Sequence, residues 1–322
     1  MKPRSAILAL LAAGCLAGQQ ASREVETYVY DGMGNRTLAT TSSTIRRGDT
    51  VMNVERVRSI NGREVPLESV QERVVSASGG VKVIERIVRR YGADGQPGPP
   101  EKIRIEERTA EDGAITTSAS VYRGDLNGAF HLAERSVEHI RKAGDVTMVT
   151  RSLEKPTLNA TLEMVERSTR TTSEKDGASH SESVVYRRDA SGAFYAAAQE
   201  VADRRESQGA VSETVTVYEA VPGGKMQFSN RMVSTLQREA DGSELRQTDV
   251  YSVVVAGRVS LAGQGRPELR ERQILERKAA SGGAVVEILS VRRPSLSDPD
   301  RLGPAQKVSE VICRGCEPPG KP

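Results

Sequence analysis

The sequence predicts an all-β protein in which tandem hairpins of about 32 residues lay down one long antiparallel meander, as an elongated sheet or an open, rolled barrel. Three observations carry this reading. Six of the eight tyrosines, Tyr30, Tyr91, Tyr122, Tyr186, Tyr218 and Tyr251, are separated by 61, 31, 64, 32 and 33 residues. Glycines recur inside Asn-Gly, Asp-Gly, Ser-Gly or Gly-Gly pairs, where a positive φ costs little, as at Gly62, Gly80, Gly113 and Gly128. Between the turns run arms rich in branched residues, such as Val81 to Val88 and Val215 to Tyr218.

Taken in order, residues 1–20 read as an export signal. Lys2 and Arg4 precede the apolar run Ala6 to Ala13, and small residues follow. Ala12-Ala13-Gly14-Cys15 resembles a lipoprotein box, with Cys15 as the lipidation candidate, and Cys15-Leu16-Ala17 fits ordinary cleavage equally well. Residues 21–312 form the repeat-built domain. Its clearest internal pair aligns Val121 to Phe130 with Val185 to Phe194, residue for residue at Val, Tyr, Arg, Asp, Gly, Ala and Phe. The second arms Ala193 to Glu206 and Pro267 to Ala279 also suit amphipathic helices, so strand-helix repeats are the alternative. Residues 313–322 form a Cys-x-x-Cys and Pro-rich tail. In an exported chain Cys313 and Cys316 predict a small disulfide loop.

Composition limits the class of function. The chain is 37% hydrophobic, 28% charged and 3% aromatic, with no Trp, so it has little material for a large dry core. Its net charge of +3 leaves no nucleic-acid footprint. Glu-Arg pairs such as Glu72-Arg73, Glu85-Arg86, Glu134-Arg135 and Glu166-Arg167 recur within arms. Adjacent residues of a strand point to opposite faces, so both faces carry charge and cross-strand ladders of alternating sign follow. Strict alternation over Phe130 to Arg141 places His131 and His139 on one face. A lipid-facing wall is disfavoured by that charge and by the small number of aromatics for interfacial girdles.

Tyr30-Asp31-Gly32-Met33-Gly34-Asn35-Arg36-Thr37, within residues 28–40, resembles the YD repeat of Rhs-type bacterial surface proteins. Those tandem hairpins build β shells associated with carbohydrate binding and toxin encapsulation. The resemblance implies a hairpin architecture and a surface setting, and it assigns no functional residue. Later units depart from it, as in Tyr122-Arg123 and Tyr218-Glu219.

Catalytic motifs are missing: there is no Gly-x-Ser-x-Gly elbow, phosphate loop or His-Glu-x-x-His, and His131, His139 and His180 are scattered. The expectation is an exported protein of a bacterial envelope, periplasmic, outer-membrane-anchored or secreted. It would act as a structural or interaction module with no catalytic, cofactor or metal site. Its partners would be an envelope protein or a carbohydrate, with no nucleic acid, and a membrane only through a lipid anchor. The six repeat tyrosines would pack across strands. Two alternatives stand beside this reading, an outer-membrane β-barrel and an extracytoplasmic enzyme with carboxylates from distant strands.

Overall fold

A computed structural model describes residues 22–47, 51–60, 63–125, 127–207, 209–253, 267–295 and 301–317. The segment read as an export signal, with Cys15, and the last tail residues, 318–322, lie outside the described residues. Eighteen strands follow one another: β1 (Ser22–Tyr30), β2 (Arg36–Arg47), β3 (Val51–Ile60), β4 (Arg63–Ser78), β5 (Val81–Arg90), β6 (Glu101–Thr109), β7 (Ile115–Gly124), β8 (Phe130–Ala143) and β9 (Val146–Pro156). The second half contains β10 (Leu162–Lys175), β11 (Ala178–Arg188), β12 (Phe194–Ser207), β13 (Ala210–Ala220), β14 (Met226–Arg238), β15 (Glu244–Val253), β16 (Pro267–Ala279), β17 (Ala284–Arg292) and β18 (Gln306–Arg314). The only helical segment among the described residues is a single 3-10 turn, Ser281–Gly283. Both arms that suited helices are strands, β12 and β16, because their charged residues find ladder partners on either side.

Every strand pairs antiparallel with its neighbours in sequence, and β1 pairs with β18 from Glu24↔Arg314 to Val29↔Ser309. The meander therefore closes into a ring, which leaves no free edge to recruit another chain. Substantial packing is confined to ladder neighbours, so the wall is one sheet thick. Eighteen strands about 4.8 Å apart and tilted by about 40° close to a ring roughly 36 Å across, wide enough for an aqueous lumen. Few side chains among the described residues are buried; they include Val83, Val88 and Ile105 on β5–β6 and Val285, Val291 and Cys313 on β17–β18, where Val285 stands opposite Cys313.

The two rims differ. β1 begins and β18 ends at one of them, the terminal rim, where consecutive strands are joined by two to five residues. The other, the loop rim, carries connections of up to thirteen residues. A five-residue turn recurs around both rims. In residues 31–35, Asp31 N–H donates to the Asn35 carbonyl and Gly34 N–H to the Asp31 carbonyl. The same pair of bonds closes 125–129, 189–193 and 221–225 at the loop rim and 110–114 and 239–243 at the terminal rim. The fourth residue takes a positive φ and is glycine in these turns, for example Gly34 at 85° and Gly128 at 83°. The turn 157–161 has Ala160 there, at φ 57°.

A second repeated device is the β-bulge. Ladders near the loop rim skip one residue on the even-numbered strand: Ala39, Leu67, Ala133, Val165, Ala197, Ser229, Arg270 and Val308. In six of these strands the skipped residue is the fourth, so the bulges lie at one height and form a ring of their own. Bulges at barrel rims bend the strand and re-aim its side chains. They correct the reading by strict alternation. The skip at Ala133 puts Phe130 and Leu132 on the face of Arg135, Val137 and His139, and His131 on the opposite face with Glu134 and Glu138.

Candidate functional site

Residues opposite one another in a ladder share a face, so the registers carry one face around the ring. One face holds Tyr28, Tyr30, Tyr122, Phe130, Tyr186, Phe194, Tyr218, Phe228 and Tyr251. Tyr91 joins them through a 3.2 Å hydrogen bond between its hydroxyl and that of Ser69. Ten of the eleven aromatics are thus on one face, and all stand at the loop rim because the odd strands run toward it. Tyr195, the remaining one, is at the same rim on the opposite face. A sequence with few aromatics gathers them into one belt.

The bulges build this belt. Tyr28, Tyr122, Tyr186, Tyr218 and Tyr251 each follow a skipped step and face Leu38, Leu132, Ala196, Phe228 and Leu269. Cations cap the rings: Arg36 lies 3.5 Å over Tyr28, Arg167 4.8 Å over Tyr186 and 5.3 Å over Phe194, and Lys307 4.7 Å over Tyr30. The Tyr30 hydroxyl donates to Glu310 at 2.6 Å, and Glu310 also accepts from Lys307 and Arg36, both at 2.9 Å. On the same face the terminal rim is charged. Arg108, Arg141, Lys175, Arg205, Lys278 and Arg314, each near the end of an even strand, are exposed.

Between the rims both faces are polar and charged. On the tyrosine face Arg135 donates to Glu154 at 2.8 Å, Lys102 pairs with Glu85 at 3.0 Å, and Arg272 grips Asp249 through two bonds of 2.6 and 2.7 Å. On the opposite face Arg86 Nε donates to Glu72 at 2.9 Å and Arg187 Nε to Glu166 at 3.0 Å. These are the cross-strand ladders that the Glu-Arg pairs predicted.

The turn aspartates form a separate electrostatic set. Asp31 accepts from the backbone of Met33 and Asn35, and Asp189 from Ser191 and Ala193. The Asn35 side-chain amide on Asp31 and the Ser191 hydroxyl on Asp189 hold these carboxyls below their ordinary range, as the Ser243 hydroxyl does for Asp241. For Asp125 the leading cause is a hydrogen bond with His131, 3.1 Å away.

Each histidine thus has a polar neighbour that sequence spacing concealed. His139 meets Thr116 at 3.0 Å, and His180 Nδ1 lies 2.7 Å from Asp203 across β11–β12. Ser173 stands opposite His180 on the other ladder, with no hydrogen bond between them among the described residues. Shallow hollows of about 360 and 390 Å³ flank this row at the terminal rim. No group of three or more metal-ligating side chains converges among the described residues. Cys313 and Cys316 are joined as a disulfide, with Cα atoms 5.7 Å apart.

Neither a protein-family model nor a curated protein sequence matches the chain. Solved structures do resemble it. A triple mutant of the Rh. blastica porin aligns over 91% of this chain and 96% of its own, at 8% identity and a TM-score of 0.51. Salmonella typhi OmpF, solved with daunomycin, aligns over 91% of this chain and 95% of its own, at 8% identity and a TM-score of 0.50. The likeness is one of fold: this chain is an all-β antiparallel meander with the architecture of outer-membrane porins.

Proposed function

We propose that this chain works at the bacterial outer membrane as an exported, porin-shaped barrel with a water-filled lumen, and that its role is that of a conduit or sleeve without a resident cofactor. The observation that carries the reading is the closed wall of eighteen strands, one sheet thick, with polar side chains on both faces. Water on both sides satisfies that wall. It hydrates the charged ladders, and the closed ring satisfies the backbone.

A second reading, a barrel that spans the lipid as porins do, is favoured by the fold and by the aromatic belt. Its difficulty is the middle of the wall. Arg104, Arg135 and Arg272 occupy it on the tyrosine face, and Arg86, Arg151 and Arg170 on the other. Three arginines near a bilayer midplane cost about 6–12 kcal/mol at about 2–4 each. That is comparable with the whole stability of a domain, and cross-strand ion pairs offset only part of it.

Val201 and Ala202 are consecutive mid-wall residues on opposite faces. With the other thiols blocked, Val201→Cys and Ala202→Cys variants of the full chain are treated with a charged, membrane-impermeant thiol reagent. Labelling of both supports the water-filled lumen, and labelling of only one shows a dry interior and ends the reading. The same variants in intact outer membranes test the lipid-spanning reading, which requires one face to become protected there.

A further inference from the structure

We propose that the loop rim is a membrane-seating surface, through which the barrel rests in the headgroup layer of a phospholipid bilayer while the rest of its wall stands in water. The inference deepens the outer-membrane reading above by naming which part of the molecule touches lipid. It begins with an asymmetry within one face. At the loop rim the tyrosine face presents ten aromatic rings interleaved with Leu38, Leu132, Leu162, Met164, Met226 and Leu269. At the terminal rim the same face presents Arg141, Lys175, Arg205 and Lys278, all exposed.

The turn tips supply an independent observation. Met33, in the turn 31–35, is 89% exposed, and Leu158, in the turn 157–161, is 107% exposed. Val29, Phe130, Met164 and Tyr195 are exposed apolar residues at this rim as well. Met33 and Leu158 extend from the β1–β2 and β9–β10 turns with little to bury them, and the others lie on β1, β8, β10 and β12. Among the described residues the terminal rim has exposed Val75, Val146 and Met148 but no aromatic ring and no apolar turn tip exposed to this degree. Tyrosine suits the headgroup level because its ring is apolar and its hydroxyl is wet. Arg167, stacked on Tyr186 and Phe194, places a cationic group at the belt. Arg36 and Lys307 share the single Glu310 carboxylate, which leaves one net positive charge beside Tyr28 and Tyr30 for lipid phosphates. One same-face step below the belt on their own strands the side chains become Ser120, Arg135, Thr216 and Asp249, which sets the depth of seating at the belt.

The chain contains no Trp, so one introduced Trp is a single-site reporter. Tyr122→Trp marks the belt, Val233→Trp the middle of the same face, and Leu245→Trp the terminal rim. Each variant of the full chain, checked for an unchanged β circular dichroism spectrum, is mixed with phosphatidylcholine vesicles brominated near the headgroup or at mid-chain. Seating predicts at least twofold quenching of Tyr122→Trp by the shallow bromine and none at the other two positions. Quenching of Val233→Trp by mid-chain bromine overturns the proposal in favour of a full span, and no quenching anywhere overturns it outright. Thiol labelling of Val201→Cys and Ala202→Cys in water judges the water-filled lumen without vesicles, so the two readings fail separately. A Tyr122→Ser, Tyr186→Ser, Tyr218→Ser variant should lose at least tenfold in vesicle partitioning, and unchanged partitioning also counts against the belt.

Discussion

Tyr218 and Phe228 meet edge to face across the β13–β14 ladder, their ring centroids 6.4 Å apart and their planes at 86°. They meet because the ladder skips Ser229; without the skip, Phe228 would turn to the opposite face. A T-shaped pair adds about 0.5–1.5 kcal/mol beyond its area burial. A double-mutant cycle with Tyr218→Leu and Phe228→Leu, followed by urea unfolding, should return a coupling of that size. A coupling indistinguishable from zero would mean that the belt residues share a rim without stabilising one another.

Ala160 holds a left-handed conformation at the turn position where Gly34, Gly128, Gly192 and Gly224 stand in the equivalent loop-rim turns. An L-residue pays roughly 1–2 kcal/mol for that backbone, and glycine gives back part of it through its greater freedom when unfolded. Ala160→Gly should therefore stabilise the barrel by about 0.5–1 kcal/mol. The converse change, Gly128→Ala, adds a Cβ that meets nothing within 4 Å, so its cost is purely conformational. Urea midpoints that move the same way for both variants would contradict this account.

The turn aspartates make stability depend on acid. The carboxyls of Asp31, Asp125, Asp189 and Asp241 are held below their ordinary range in the folded chain. A lowered folded value gives stability that is present above the unfolded value, about 3.9, and is lost as pH falls through the folded one. The melting temperature should hold between pH 7 and 5 and fall below about pH 4. Replacing all four with Asn keeps a side-chain acceptor in each turn and removes the titration. That variant should lose less on acidification than the parent. Equal slopes would assign the acid sensitivity to the wall carboxylates instead.

The hairpin period was legible because the tyrosines end odd strands that all run to one rim, so their spacing is the length of a hairpin. Charge ladders were legible because Glu-Arg neighbours within a strand point to opposite faces. The belt was not. Its register depends on single skipped residues such as Ala39, Ala133 and Arg270, which share no residue type that marks a bulge. One skip inverts every later side chain of the strand, which is why strict alternation misplaced His131 relative to His139. His180 and Asp203 come together through a ladder rather than through spacing. Closure was hidden for a different reason: the sequence of a meander is the same whether its first and last strands meet or not.

Closure itself is measurable. β1 pairs with β2 on one side and β18 on the other, with Val25 facing Ser42 and Cys313. In an open sheet β1 would be an edge strand, half of its amides would exchange with solvent freely, and exchange would spread inward through local opening. In the ring every strand has two neighbours, so β1 and β18 should be protected to the same degree as β10 and β11 on the far side. Hydrogen exchange followed by fragment mass analysis gives those four values in one experiment. Weakening the seam should split them: Val25→Pro removes a backbone donor and strains the ladder, a change tolerated on an edge strand and disruptive in an interior one. If β1 and β18 exchange at least tenfold faster than β10 and β11 in the parent chain, the wall has a seam there. With equal protection lost at both seam strands on Val25→Pro, it has none.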